Sequence, residues 1–190
     1  MNKIALTIFL GAGILFTLAS SKAAESNDIL YKGTKFGATE KTFTHQHQNE
    51  GFVCADAPNG NPGRWCESEV ATYLNFKTHT TAQFLDNRLL LVSVFFKSPS
   101  DVVSSVVMDD AIVSQIEHRY GAPNETEWPK EVNGGKIWKK VWHSKDGSSI
   151  EYLHYISTTG PLNLDERNVF IMSKDADKLT RAPSAQKSDM

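Results

Sequence analysis

The chain has 190 residues, with 20 Lys and Arg against 22 Asp and Glu, 40% hydrophobic and 10% aromatic side chains. That apolar content excludes an intrinsically disordered chain and is enough for one packed domain. The basic residues are dispersed and outnumbered, so the concentrated positive face that phosphate contacts need is missing and no nucleic-acid partner is expected.

The N-terminus places Lys3 before an apolar run from Ile4 to Ala19, followed by the small-x-small site Ser21-Lys22-Ala23. A membrane span needs about 20 predominantly apolar residues, and this run is shorter and ends in Ser and Lys. It therefore reads as a signal peptide over residues 1–23, cleaved after Ala23. Cleavage removes two lysines and no acid, moving the formal net charge from −2 to −4. The expected mature chain is a periplasmic or secreted protein with no membrane span and no cysteine at the cut to carry a lipid.

Residues 24–175 read as a single domain, and residues 176–190 as a polar tail, with fraying expected from Lys174 onward. Phe43 and His47 lie four apart over Thr39–Gln48, as on one face of a short helix, although Thr42-Phe43-Thr44-His45 also alternates like a strand. Cys54 and Cys66 are separated by a segment holding Pro58, Gly60, Pro62 and Gly63. In an oxidising compartment they are expected to pair as a disulfide that pins a flexible loop. Ala71–Lys77, Thr80–Leu85 and Leu89–Phe96 read as antiparallel strands, with Asp86-Asn87-Arg88 as a turn. Ser98-Pro99-Ser100 stops the last of these. A helix then follows over Ser100–Tyr120, capped by Ser100, with Val102, Val106, Val113, Ile116 and Tyr120 roughly on one face. Its β-branched start lowers helix propensity enough to delay the ordered helix to about Asp109. Its end is marked by Gly121 and Pro123.

Lys136–His143 and Ser149–Ile156 flank Asp146-Gly147, a pair suited to a two-residue hairpin turn, and Asn168–Ser173 makes a further strand. That turn sets Lys145 opposite Ser148, Trp142 opposite Glu151 and Trp138 opposite Tyr155. One face then carries Ile137, Val141, Ile150, Tyr152 and Ile156, suited to packing under the Ser100–Tyr120 helix. The other carries Trp138, Lys140, Trp142, Glu151, Leu153 and Tyr155, the aromatic and charged mixture expected at a partner-binding surface. The alternative is that this aromatic face is the core and the aliphatic face lies outside with Lys139, His143 and His154. The element order defines an α+β fold: an antiparallel sheet with helices on one face, a helix-then-strands arrangement used twice, and one disulfide.

Gly33-x-x-Phe36-Gly37, Phe52-Val53-Cys54, Cys66, the Phe84–Phe96 hairpin and Tyr120-Gly121-Ala122-Pro123 before a Trp-containing hairpin resemble a family of small uncharacterised bacterial exported proteins. The likeness spans nearly the whole mature chain, and its motifs are structural. The repeated helix-then-strands order is also similar, as a fold analogy, to β-lactamase inhibitor proteins and small outer-membrane assembly lipoproteins. That similarity implies a protein-binding module.

Residues 24–190 contain no Gly-x-Ser-x-Gly, His-Glu-x-x-His, Gly-x-x-x-x-Gly-Lys or Gly-x-Gly-x-x-Gly, so no catalytic residues and no cofactor are expected. Glu125, Glu127 and Glu131 read as solvated charges in a loop. His45 and His47 could hold a metal only if the segment were a strand, because positions i and i+2 of a helix point about 200° apart. The sequence therefore leads to an exported, non-catalytic module that binds an envelope or secreted protein. The alternative is a periplasmic metal or small-ligand binding protein.

Overall fold

The computed structural model describes residues 28–58, 61–97, 102–132, 134–157 and 164–181. The signal peptide expected over residues 1–23, the stop and cap expected at Ser98-Pro99-Ser100 and the tail from residue 182 lie outside the described residues. Helix α1 (Glu40–Gln46) starts at Thr39, whose hydroxyl accepts the Thr42 N–H at 3.1 Å, and continues into a 3-10 turn over Gln48–Glu50. Strands β1 (Val53–Asp56), β2 (Arg64–Ser68), β3 (Thr72–Tyr73), β4 (Phe76–Leu85) and β5 (Arg88–Phe96) complete the first half. Helix α2 (Val102–Tyr120) opens the second half, followed by β6 (Glu125–Val132), β7 (Gly135–His143), β8 (Ser149–Ser157), β9 (Leu164–Met172) and a short α3 (Lys178–Arg181).

The strands form one antiparallel sheet in the order β1-β2-β4-β5-β9-β8-β7-β6, with β3 paired to β4. Its two halves meet where β5 pairs with β9, Val92 opposite Ile171 and Val94 opposite Val169. These residues, with Ala82, Phe84, Ile150 and Trp142, point to the helix side and are buried with Phe43 of α1 and Met108, Ile112 and Ile116 of α2. The fold is thus α+β, with a helix followed by strands twice, both helices on one face, and the disulfide Cys54–Cys66.

Several local expectations change. Cys54 and Cys66 sit directly opposite each other on the hairpin strands β1 and β2, with Cα atoms 4.0 Å apart, so the bridge that closes the connecting segment also crosses a paired ladder. The strands expected over Ala71–Lys77 and Thr80–Leu85 divide instead at Leu74-Asn75, whose φ values of 50° and 65° reverse the chain, and β4 runs unbroken from Phe76. Helix α2 reaches back to Val102 despite its β-branched start. Its buried stripe is Met108, Ile112 and Ile116, while Val106 is exposed, because packing of one face outweighs local propensity. The acidic segment after α2 is the edge strand β6. Glu125 pairs with His143 at 3.0 Å and Glu127 with Lys139 at 3.3 Å, so cross-strand charges replace apolar alternation. The tail from Ser173 to Arg181 forms turns and α3, held by an Asp175–Lys178 ion pair at 2.8 Å.

The largest correction is the β7–β8 register. Ser144 faces Ser148 across a three-residue loop, Lys145–Gly147. The Gly147 N–H donates to the Ser144 carbonyl at 3.1 Å, and Gly147 itself is left-handed at φ 86°. Asp146 anchors this loop by accepting the Ser148 N–H at 2.9 Å and hydroxyl at 2.6 Å, bonds that hold its carboxyl below the usual range. One extra loop residue shifts every pair by one: Trp142 faces Ile150, Lys140 faces Tyr152 and Trp138 faces His154.

The end of α2 is as expected. Gly121 adopts φ 85° and its N–H caps the Glu117 carbonyl at 2.8 Å. Gly121→Val should lower stability by about 1–2 kcal/mol and Gly121→Asn by less, read from chemical denaturation midpoints. Equal losses would mean that the left-handed cap contributes nothing.

Candidate functional site

The corrected register divides the six residues expected to form one partner surface. Trp138, Lys140 and Trp142 lie under α2. Trp142 is 1% exposed and its Nε1 donates to the Gly121 carbonyl at 2.9 Å, while Lys140 pairs with Glu117 of α2 at 3.3 Å. Glu151, Leu153 and Tyr155 lie on the face opposite α1 and α2 with Ile137, Lys139 and Val141. The single aromatic face does not form, because α2 covers the side that carries the tryptophans.

Beneath α2 the sheet holds an ionic network. Arg167, 0% exposed, donates from Nε to Asp109 at 2.6 Å and approaches Asp165 through a terminal nitrogen at 2.9 Å. His154 sets Nδ1 3.1 Å from Asp109 and Nε2 2.7 Å from Asp165, under the ring of Trp138 with centroids 5.3 Å apart. The Tyr152 hydroxyl also donates to Asp109. Burial by itself would raise the Asp109 carboxyl, but the bonds from His154, Arg167 and Tyr152 outweigh it and hold the group below the usual carboxylate range. Burial, then the Asp109 carboxylate, pushes the Tyr152 hydroxyl upward. Phenol, imidazole, guanidinium and carboxylates bond to one another, and the chemical result is to fasten α2 to β8 and β9.

A smaller network lies near α1. His47 is buried, with Nδ1 2.9 Å from Glu50 and Nε2 2.8 Å from the Thr34 hydroxyl, which itself donates to Gln46 at 2.7 Å. Glu50 also accepts from Lys32 at 2.6 Å and from Tyr31 at 3.1 Å. Burial opposes ionisation of Glu50, and the Lys32 and His47 bonds override it, so its carboxyl too is held low. His45 stands exposed on α1 while both nitrogens of His47 are engaged, so the pair does not converge as a metal site. Among the described residues, the His, Cys, Asp and Glu atoms close enough to share an ion belong to Glu40, Cys54 and Cys66, and those two sulfurs are already bonded to each other.

The second face of the sheet carries no α1 or α2. Across its central strands lie Phe95, Phe170, Leu153 and Tyr155, all half-buried. Phe95 meets Phe170 edge-on with centroids 6.3 Å apart. Tyr155 lies over Gly135, where an added Cβ would come within 2.4 Å of its ring. Toward the β6 edge, Glu151, Lys139, Glu127 and Lys130 form a cross-strand charge ladder with contacts of 3.3–3.6 Å. Toward the other edge, α3 brings Leu179 to a cleft shared with Trp65, Leu91 and Met172.

Sequence reading missed Asp109, Asp165 and Arg167. The signal was present: Asp165, Arg167, Val169 and Ile171 alternate with period two, but the polar pair made the strand seem to begin only at Asn168. Comparison of the chain with protein-family models, curated proteins and solved structures finds no match.

Replacing Arg167 by Met would leave the half-buried Asp109 and Asp165 without a guanidinium. Arg167→Met should cost about 1–3 kcal/mol, measured by urea denaturation. Because Asp109 and Glu50 have folded-state pKa values below their unfolded ones, their stabilisation is complete above about pH 4 and is lost as the pH falls through the folded values. Melting curves recorded from neutral to acid pH should fall in that direction. A melting temperature that rises on acidification would contradict this account.

Proposed function

We propose that this chain is an exported, non-catalytic protein-binding module of the cell envelope that meets an envelope or secreted partner through the sheet face opposite α1 and α2, and that it belongs with the bacterial exported proteins its motifs resemble. The observation that carries the reading is the uncovered side of the sheet, with half-buried Phe95, Phe170, Leu153 and Tyr155 at its centre and a charge ladder at its margin. An aromatic centre rimmed by charges is the composition of protein interfaces. The N-terminal signal and the Cys54–Cys66 disulfide support an oxidising, extracytoplasmic compartment. Among the described residues no helix is long and apolar enough to cross a membrane. The networks around Asp109 and Glu50 are consumed in holding helices to the sheet, which leaves the open face as the surface for recognition.

The test is Leu153→Glu combined with Tyr155→Glu, set against Trp142→Ala. The open-face pair should keep the melting temperature within about 5 °C and abolish capture of partners from the native envelope fraction. Trp142→Ala should instead cost about 3–5 kcal/mol as a core truncation. Undiminished capture by a folded open-face variant would refute the assignment of this face.

A further inference from the structure

The face opposite α1 and α2 also contains a more specific feature, at the end where β4 begins and β5 finishes. Thr78 and Phe96 form the last paired rung of these strands. Lys77 and Lys97 stand one position beyond it, opposite each other and on the same face as the preceding rung, His79 and Phe95. Like charges placed opposite one another across two strands are destabilising. Both lysines are exposed, and neither has an ion-pair partner among the described residues. They line a cleft of about 490 Å³ together with Glu69, His79, Phe95 and Phe96. That size suits a small molecule.

The other walls narrow the chemistry. Glu69 holds His79 through Nδ1 at 2.8 Å, which orients the ring and leaves Nε2 without a partner among the described residues. Phe95 forms an apolar surface beside it, 5.6 Å from the His79 ring and 6.3 Å from the Phe170 ring. The cleft therefore combines two lysines, against the one Glu69 carboxylate that is engaged by His79, with an aromatic wall, in a chain whose formal charge is −2 overall.

We propose that this cleft is a binding site for a small amphiphilic anion: an aromatic or short aliphatic body that packs on Phe95, carrying a carboxylate or phosphate that neutralises Lys77 and Lys97. The ligand supplies the negative charge that the fold omits between the two lysines. The site requires no protein partner, so it stands or falls separately from recognition by the rest of the open face.

Isothermal titration calorimetry with phenyl phosphate, inorganic phosphate and benzyl alcohol tests the proposal on the full mature chain. Phenyl phosphate should bind, and inorganic phosphate and benzyl alcohol should each bind about tenfold or more weakly, because each lacks one half of the recognition. Lys77→Gln combined with Lys97→Gln should weaken phenyl phosphate by about tenfold or more. Lys97→Glu should abolish that binding while leaving the melting temperature unchanged or raised, since it converts a like-charge pair into an opposite one. No detectable phenyl phosphate binding, or equal binding by the double variant, would overturn the site. Inorganic phosphate binding as tightly as phenyl phosphate would overturn the amphiphilic assignment. A fall in melting temperature with Lys97→Glu would make the lysine pair structural and would also overturn the proposal.

Discussion

The pairing of β5 with β9 is the constraint on which the rest of the molecule depends. Each half ends in a strand, and those two terminal strands lie antiparallel at the centre of the sheet, from Leu91 opposite Met172 to Phe96 opposite Arg167. Side chains alternate across a strand, so this register aligns the inward rows of both halves: Ala82 and Val92 continue into Ile171, Ile150 and Trp142. The two halves are thereby related by an approximate two-fold rotation normal to the sheet. Such a rotation keeps both helices on one side, and one apolar layer serves α1 and α2 together.

The helices are fixed on that layer by polar contacts as well as by burial. Under α2, Asp109 gathers Tyr152, His154 and Arg167. Near α1, Glu50 gathers Tyr31, Lys32 and His47. Apolar contacts tolerate sliding, whereas a shifted α2 would strand a guanidinium and two carboxylates in a covered site. The Trp142 indole, bonded to the Gly121 carbonyl, adds a fixed point at the far end of the same helix. These contacts set the position of each helix more than they add to net stability.

Concentrating α1 and α2 on one face leaves the other with only the short α3 at one edge, and that face is differentiated along its width. The charge ladder of Glu151, Lys139, Glu127 and Lys130 borders β6, an edge strand whose Trp128 is 82% exposed at a break in register and whose Pro129 cannot donate to another strand. The aromatic centre follows, and the lysine-flanked cleft lies at the end of β4 and β5. The surfaces proposed for protein recognition and for small-anion binding are thus neighbouring parts of one face.

Signals that act over a few residues were legible in the sequence. Asp86-Asn87 turns β4 into β5, Gly121 ends α2, and the two cysteines pair. Each follows from a conformational or chemical preference of the residues themselves. The α+β class follows from their order. Which side of each strand faces the helices was beyond that reading. Asp146-Gly147 is compatible with a two-residue or a three-residue loop, and the choice, worth one position of register, sent Trp138 and Trp142 beneath α2 and Leu153 and Tyr155 to the open side. Strand β6 and the first residues of β9 carried too many charges to read as strands until partners across the sheet and from α2 neutralised them. The sequence by itself determined the Asp86-Asn87 turn, the end of α2 at Gly121 and the cysteine pairing, because those preferences are local. The tertiary structure alone decided which face is core, where the charges pair and which surface is left open, because each depends on residues brought together from distant parts of the chain.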